Sequence, residues 1–109
     1  VVNEGIGGTR IPHDGAGDYG PAFGPSALAR FDRDVLAQSG VRYVVVLEGI
    51  NDIGHPGAGA PMSEDVTAED IIAGLRQLIE RAHAKGLKIF GATLTLPGIA
   101  GIILTNSCI

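Results

Sequence analysis

"VRYVVVLEGIND", residues 41–52, is the stretch of sequence that decides the fold. Its first part is an apolar run without polar alternation, rich in β-branched residues, which is typical of a strand buried on both faces of a parallel sheet. Gly49, Asn51 and Asp52 follow directly and favour a turn. The stretch therefore predicts a buried strand that carries a polar loop to one edge of a sheet.

Two amphipathic helices flank this strand. Over residues 67–86, Thr67 and Asp70 have the spacing of a capping box, and Gly86 suits the left-handed position that ends a helix. Residues 26–40 have a cap, an apolar face at helical spacing and a terminal glycine of the same kind. Both segments predict helices that cover a core on one side.

The order of these elements predicts the topology. A second apolar run, "LKIFGATL" at residues 87–94, follows the later helix and also predicts a strand buried on both faces. Alternating helices and strands indicate right-handed crossovers and an α/β fold with a parallel sheet. "VV" at residues 1–2 is interpreted as the end of another strand, and residues 5–24 as a long irregular loop.

Composition excludes several classes of protein. The chain has 109 residues, a net charge of −4 and eight scattered Lys and Arg residues, so it lacks the basic face that nucleic acid requires. Its single cysteine, Cys108, excludes an internal disulfide framework and a cysteine-rich zinc site. Pro97 and several glycines interrupt the uncharged C-terminal stretch, so we expect no transmembrane span. Nothing in the sequence indicates a metal or a cofactor, and the cellular compartment stays open.

Ligands of parallel α/β sheets bind beyond the carboxyl ends of the strands. This rule selects three loops, "NEGIGGTR" at residues 3–10, "GINDIGH" at 49–55 and "TLTLPG" at 93–98. The glycines of the first loop allow close approach of backbone N–H groups to a ligand. Arg10 stands where a dinucleotide-binding loop needs its third glycine, and the chain has no Walker lysine, which weakens a nucleotide-binding interpretation.

Asn51 offers two interpretations. A fixed, neutral amide donor at the end of a strand suits the stabilisation of a developing oxyanion, because it acts without changing its protonation state. Alternatively, Asn51 and Asp52 only cap the turn through bonds from side chain to backbone. The spacing of these residues leaves both interpretations open.

With both loops considered together, the chain resembles the SGNH hydrolases, also called GDSL-type esterases and lipases. "NEGIGGTR" resembles the block that supplies an oxyanion-hole glycine, and "GIND" has the family's form Gly-x-Asn-Asp. The resemblance implies a flavodoxin-like three-layer α/β/α sandwich and ester hydrolysis through an acyl-serine intermediate. It makes Gly8 and Asn51 the oxyanion donors, and it makes Gly49 and Asp52 residues that hold the turn. Gly7 is predicted to line the substrate, and His13 is interpreted either as a second substrate-lining residue or as a solvated loop histidine.

The other catalytic blocks of the family do not match in the same way. No Gly-Asp-Ser occurs in the chain, so no nucleophile is assigned. "DIGHP", residues 52–56, has the letters of the family's Asp-x-x-His-Pro block but overlaps the oxyanion block, so His55 is interpreted as a loop residue. A general base must approach the serine from the other side of the attacked carbonyl. Glu48 receives no catalytic role, because a carboxylate next to the oxyanion donor opposes the build-up of negative charge.

We interpret residues 1–109 as one partial SGNH-type domain in which residues 96–109 form a divergent apolar tail. The expected parent is a serine hydrolase of acyl or acetyl esters, carbohydrate esters among them, and the chain is expected to be a fragment or a truncated product with little activity alone. The alternative is a non-catalytic binding or interaction module on the same scaffold. Exposed sheet edges are expected to promote self-association.

Overall fold

The structure, a computed structural model, describes residues 1–94, so Cys108 and the apolar tail at 96–109 lie outside the described residues. The regular elements follow one another in the order α1 (Gly20–Phe23), α2 (Ala27–Phe31), β1 (Tyr43–Val46), α3 (Ile50–Gly54), α4 (Ala68–Ala84) and β2 (Lys88–Gly91). Shorter turns are the 3-10 turns Gly17–Tyr19 and Met62–Glu64 and the π-helical turn Asp32–Leu36. The predicted alternation of helix and strand is confirmed, with α1 and α3 as additions.

The two strands form a parallel pair. Tyr43 lies opposite Lys88, and Val46 lies opposite Gly91. Helix α4 supplies the crossover between the strands, as parallel pairing requires. The predicted α/β class with a parallel sheet is therefore confirmed.

The caps predicted for α4 are present. The Thr67 hydroxyl oxygen accepts from the Asp70 N–H at 3.1 Å, and the Asp70 carboxylate accepts from the Thr67 N–H at 2.9 Å. Gly86, just beyond the helix, has a φ of 73°. These contacts satisfy backbone groups that a bare helix end leaves without partners.

Helix α2 also begins at its predicted cap but ends differently. The Ser26 hydroxyl accepts from the Ala29 N–H at 3.2 Å. Beyond Phe31 the helix widens into the π-helical turn, where the Ala37 N–H donates to the Asp32 carbonyl at 3.0 Å. The apolar spacing does not reveal this widening, because the π-helical turn has only five residues and is too short to show a period of its own.

The core lies between the sheet and one layer of helices. It is built from the buried residues Phe31, Val44, Leu78, Ala82 and Ile89. Because side chains alternate along a strand, the neighbours of Val44 and Ile89 face the opposite side.

The prediction that both strands are buried on both faces is wrong for the described residues. Tyr43, Val45 and Phe90 are exposed, Val45 to 71%. The strands carry apolar residues on both faces, but residues 1–94 supply helices to one face only, so the third layer of the sandwich stays a prediction. Val1 and Val2, interpreted as a strand end, are exposed and form no strand within the described part of the chain.

The long loop at residues 5–24 is irregular as predicted, although it includes α1 and a 3-10 turn. A hydrogen bond of 2.8 Å from the Gly15 N–H to the Gly24 carbonyl closes its second half. Over residues 1–94, no helix has both the length and the apolar character needed to cross a membrane.

Candidate active site

The loop that carries Gly8 is shaped by a tight turn and an aromatic ring. The Thr9 N–H donates to the Ile6 carbonyl at 3.2 Å, which closes a turn with Gly7 and Gly8 at its centre. Gly8 has a φ of 86°, as the third residue of a type II turn requires. A Cβ at Gly8 would overlap the ring of Phe23, the last residue of α1. Glycine is therefore required here for both conformation and space.

The second loop begins a helix where the sequence predicted only a turn. Gly49 has a φ of 116° and precedes α3, whose first turn contains Asn51 and Asp52. The His55 N–H donates to the Asn51 carbonyl at 3.0 Å, which confines the Asn51 backbone within this helical turn. The helix is short, so the sequence offers too few residues to show its period.

Asn51 joins the two loops. Its Nδ2 donates to the Thr9 carbonyl at 3.0 Å, across 42 positions of sequence. Thr9 is the residue next to Gly8, so the bond places the Asn51 amide beside the loop that carries Gly8. An amide nitrogen has two hydrogens, and the Thr9 carbonyl takes only one of them. Among residues 1–94, the second N–H has no hydrogen-bond acceptor.

The next residue, Asp52, also contacts the backbone of the first loop. Its two carboxylate oxygens accept from the Ile11 N–H at 3.0 and 3.1 Å, and its side chain is buried. Burial raises the pKa of Asp52, while the bond from the Ile11 N–H and the charges of Arg10 and His13 oppose the rise. Because both oxygens face the backbone of the first loop, Asp52 is placed to hold that loop.

Arg10 ties a third segment to the same loop. Its Nη2 donates to a Glu64 carboxylate oxygen at 2.6 Å and to the Asp14 carbonyl, and the guanidinium is almost fully buried. Three consecutive residues are thus held by separate partners: Thr9 by Asn51, Arg10 by Glu64 and Ile11 by Asp52. This role of Arg10 was not predicted from the sequence, because its partner lies 54 positions away.

Glu48 lies just before Gly49, and its carboxylate is paired. The Glu48 Oε1 is 3.6 Å from Nη2 of Arg30, a residue of α2. Burial raises the pKa of Glu48 to about 7, with Arg30 lowering it and Asp52 raising it further. A carboxyl group with this pKa changes charge near neutral pH.

The two histidines of the loops lie in different surroundings. The His55 ring stacks on Phe23 with centroids 5.1 Å apart, and Phe23 stacks on Tyr19 at 5.9 Å. His13 lines an open cleft beside the start of α4, together with Asp70 and Gln77. The lining of that cleft includes neither Gly8 nor Asn51, so the predicted contact of His13 and Gly7 with substrate stays a prediction.

Within residues 1–94, no group of three His, Cys, Asp or Glu side chains is placed to hold a metal ion. The residues that the structure brings together are Gly8, Thr9, Asn51 and Asp52. The Asn51 amide is a neutral hydrogen-bond donor, the type of group that stabilises a developing negative charge, while the Asp52 carboxylate is engaged by the backbone of the first loop.

The model of a protein family described as the GDSL-like Lipase/Acylhydrolase family matches residues 1–106. The match covers both loops, every described helix and strand, and most of the apolar tail. No curated protein matches the chain.

Proposed function

Because the chain belongs to the GDSL-like lipase/acylhydrolase family, we propose that it supplies the oxyanion hole of a serine hydrolase of acyl or acetyl esters. The Gly8 N–H and the Asn51 Nδ2 are the two donors. The observation that carries the proposal is the 3.0 Å bond from Asn51 to the Thr9 carbonyl. This bond supports the proposal because Thr9 is the residue next to Gly8.

The proposed donors fit the charge that develops during ester hydrolysis. When a nucleophile attacks the carbonyl carbon, the electron pair of the carbonyl bond moves to oxygen and leaves a negative charge there. Neutral N–H donors held in place stabilise that charge without a proton transfer, and each such donor contributes about 10²–10³ in rate. The Asn51 amide is held by one of its hydrogens and presents the other.

The nucleophile and the general base are not assigned to this chain. No Gly-Asp-Ser block occurs in the sequence. His55 stacks on Phe23, and its Asp-x-x-His-Pro pattern shares Asp52 with the oxyanion block. Without an acyl-enzyme to stabilise, the donors alone have no reaction to accelerate, so we expect almost no turnover from the 109-residue chain itself.

The test is esterase activity of the protein expressed from the intact gene, with p-nitrophenyl acetate and acetylated sugars as substrates. We expect Asn51→Ala to lower kcat by about 10²–10³ with a small change in KM. Gln38→Ala is the matched control, because it removes an exposed amide that donates to the Glu4 side chain and not to the backbone of the loop. Full activity of the Asn51 variant would overturn the proposal.

A second candidate function is a binding module that uses the same donors without turnover. It rests on the same neutral donors, which bind an ester oxygen without any proton transfer. It predicts that acylated sugars raise the melting temperature of the protein while no product appears. Release of acetate at a rate that Asn51→Ala abolishes would exclude this candidate.

A further inference from the structure

One buried side chain, that of Arg30, contacts both the loop that carries Gly8 and the residue just before the loop that carries Asn51. Its Nη1 donates to the Glu4 carbonyl at 2.6 Å, and Glu4 lies in the loop that carries Gly8. Its Nη2 lies 3.6 Å from the carboxylate of Glu48, three residues before Asn51. The Arg30 side chain is only 7% exposed.

Resting on the proposed function, we propose that Arg30 is a positioning residue that fixes the separation of the Gly8 and Asn51 donors by bridging the Glu4 carbonyl and the Glu48 carboxylate. The planar guanidinium suits this role, because its N–H groups point in fixed directions and can hold two acceptors at once. A lysine ammonium carries the same charge without this fixed fork. The bridge adds a third link between the loops, besides the contacts of Asn51 with Thr9 and of Asp52 with Ile11.

Three acidic side chains surround this bridge. Glu48 and Asp34 both face Arg30, the latter from the π-helical turn with an Oδ2 at 3.3 Å from Nη1. Asp52 faces Glu48 from α3 and opposes its ionisation. Asp34 also accepts from Arg33 at 2.6 Å, and its Oδ2 contacts the same Arg30 Nη1 that donates to the Glu4 carbonyl.

The surroundings of Glu48 make the bridge sensitive to pH. Burial raises the pKa of Glu48 to about 7, so this carboxyl group is ionised at pH 8 and largely protonated at pH 6. Protonation weakens the attraction to Arg30, because an ion pair becomes a contact between a charge and a neutral group. The position of the Asn51 loop relative to the Gly8 loop should therefore change across this range.

The test follows the Gly8 backbone amide and the Asn51 side-chain amide by ¹⁵N NMR from pH 5.5 to 8.5, with the Glu48 carboxyl carbon recorded in parallel. In the wild-type chain we expect the chemical shifts of both amides to change with pH, and part of each change to have the same pH midpoint as the Glu48 carboxyl carbon. We call this part the shared component. Glu48→Gln should remove that component.

Two further variants make the test specific to the bridge. Asp34→Asn removes a charged partner of Arg30 that belongs to neither loop, so it should leave the shared component at Gly8 and Asn51 in place. Arg30→Lys keeps the charge but cannot hold both acceptors, so Glu48 should still titrate while Gly8 no longer follows it. The comparison of Glu48→Gln with Asp34→Asn decides the matter even if the Arg30 variant does not fold.

The proposal is overturned if Glu48→Gln leaves the titration of both amides unchanged, or if Asp34→Asn removes the shared component as well. It is also overturned if Arg30→Lys folds and retains the coupling at both positions. These outcomes concern only the link between the loops. Failure of the proposed esterase function would appear separately, as undiminished hydrolysis by Asn51→Ala in the product of the intact gene.

Discussion

Helix α4 and the loop at residues 3–14 are ordered by contacts of very different range. The start of α4 is held by Thr67 and Asp70, which lie three positions apart. The loop is held by Asn51, Asp52 and other residues more than 40 positions away. Local contacts can be predicted from spacing, whereas the loop takes its shape only when the remainder of the domain has folded. The candidate donors lie in loops that are held by contacts remote in sequence.

The largest effect is expected from Gly8→Ala, which disturbs the loop at its tightest point. A methyl group there meets the Phe23 ring and an unfavourable positive φ. Together these should lower the free energy of unfolding by about 3 kcal/mol. The control is Gly7→Ala, since a Cβ at Gly7 meets no neighbour within 4 Å. Equal urea midpoints for the two variants would show that the ring does not pack as described.

Asp52→Ala should come next, because it leaves the buried Ile11 N–H without an acceptor. We expect a loss of about 2 kcal/mol in urea unfolding. Asp52→Asn keeps an acceptor oxygen and avoids burying a charge, so it should cost much less. If the alanine and asparagine variants were equally unstable, the carboxylate would have a role other than holding the loop.

Stability should also depend on pH through Glu48. Its folded pKa of about 7 lies above the ordinary value of 4.5, so the folded protein binds this proton more tightly than the unfolded chain. The stabilisation is therefore present below pH 4.5 and is lost as pH rises to about 7, on the order of 1–2 kcal/mol given the partial exposure of the carboxyl group. Asp52, whose pKa burial also raises, acts in the same direction.

Urea unfolding of the wild type and of Glu48→Gln at pH 5.5 and pH 8 checks this dependence. The variant should lose less stability between the two pH values than the wild type, because it has no carboxylate to ionise at this position. The same slope in both proteins would mean that Glu48 titrates near its ordinary pKa.

For α4, Thr67→Ala should cost about 1 kcal/mol through loss of the cap. Because the contact is local, the NMR signals of Gly8 and Asn51 should not move. Ser63→Ala, at an exposed serine in the nearby 3-10 turn, is the control. If the NMR signal of Gly8 moved as far as the signals beside residue 67, the cap would not be a purely local contact.

The smallest effect on stability is expected on the face of the sheet that carries Tyr43, Val45 and Phe90, which no helix of residues 1–94 covers. Val45→Lys replaces an exposed apolar side chain and should change the free energy of unfolding by less than about 0.5 kcal/mol. We expect the wild type to self-associate at high concentration through this face and the free strand edges, and the variant to remain monomeric in sedimentation experiments. Association that persists unchanged in the variant would point to a different surface.

The sequence predicted the features that depend on neighbours along the chain. The caps at Ser26 and Thr67, the parallel strands and the loop at their carboxyl ends all follow from spacing and residue type. The sequence could not predict the short helix α3 or the π-helical turn, since each is too brief to show a period. It also predicted strands buried on both faces, because an apolar run does not say which layers cover it.

In the candidate site, too, some features were predicted from the sequence and others were not. Gly8 and Asn51 were selected from loop position and from resemblance to a family, and the structure shows that they lie on adjacent loops. The contacts that hold them were missed, because Arg10 and Arg30 resemble ordinary surface cations in sequence. Their burial results from partners 54 and 26 positions away, at Glu64 and Glu4. No local signal distinguishes such residues.

The most direct measurement of the central claim is a titration of the ¹⁵N-labelled chain with acetate, observed at the Gly8 amide and both hydrogens of the Asn51 amide. Acetate offers a negatively charged oxygen on the acyl group that ester hydrolysis releases, and chloride at equal ionic strength is the control. We predict saturable shifts at Gly8 and at one Asn51 hydrogen, with the other hydrogen held by the Thr9 carbonyl, and no such shifts with chloride. Shifts absent from both residues, or identical with chloride, would contradict the assignment of these groups as oxyanion donors.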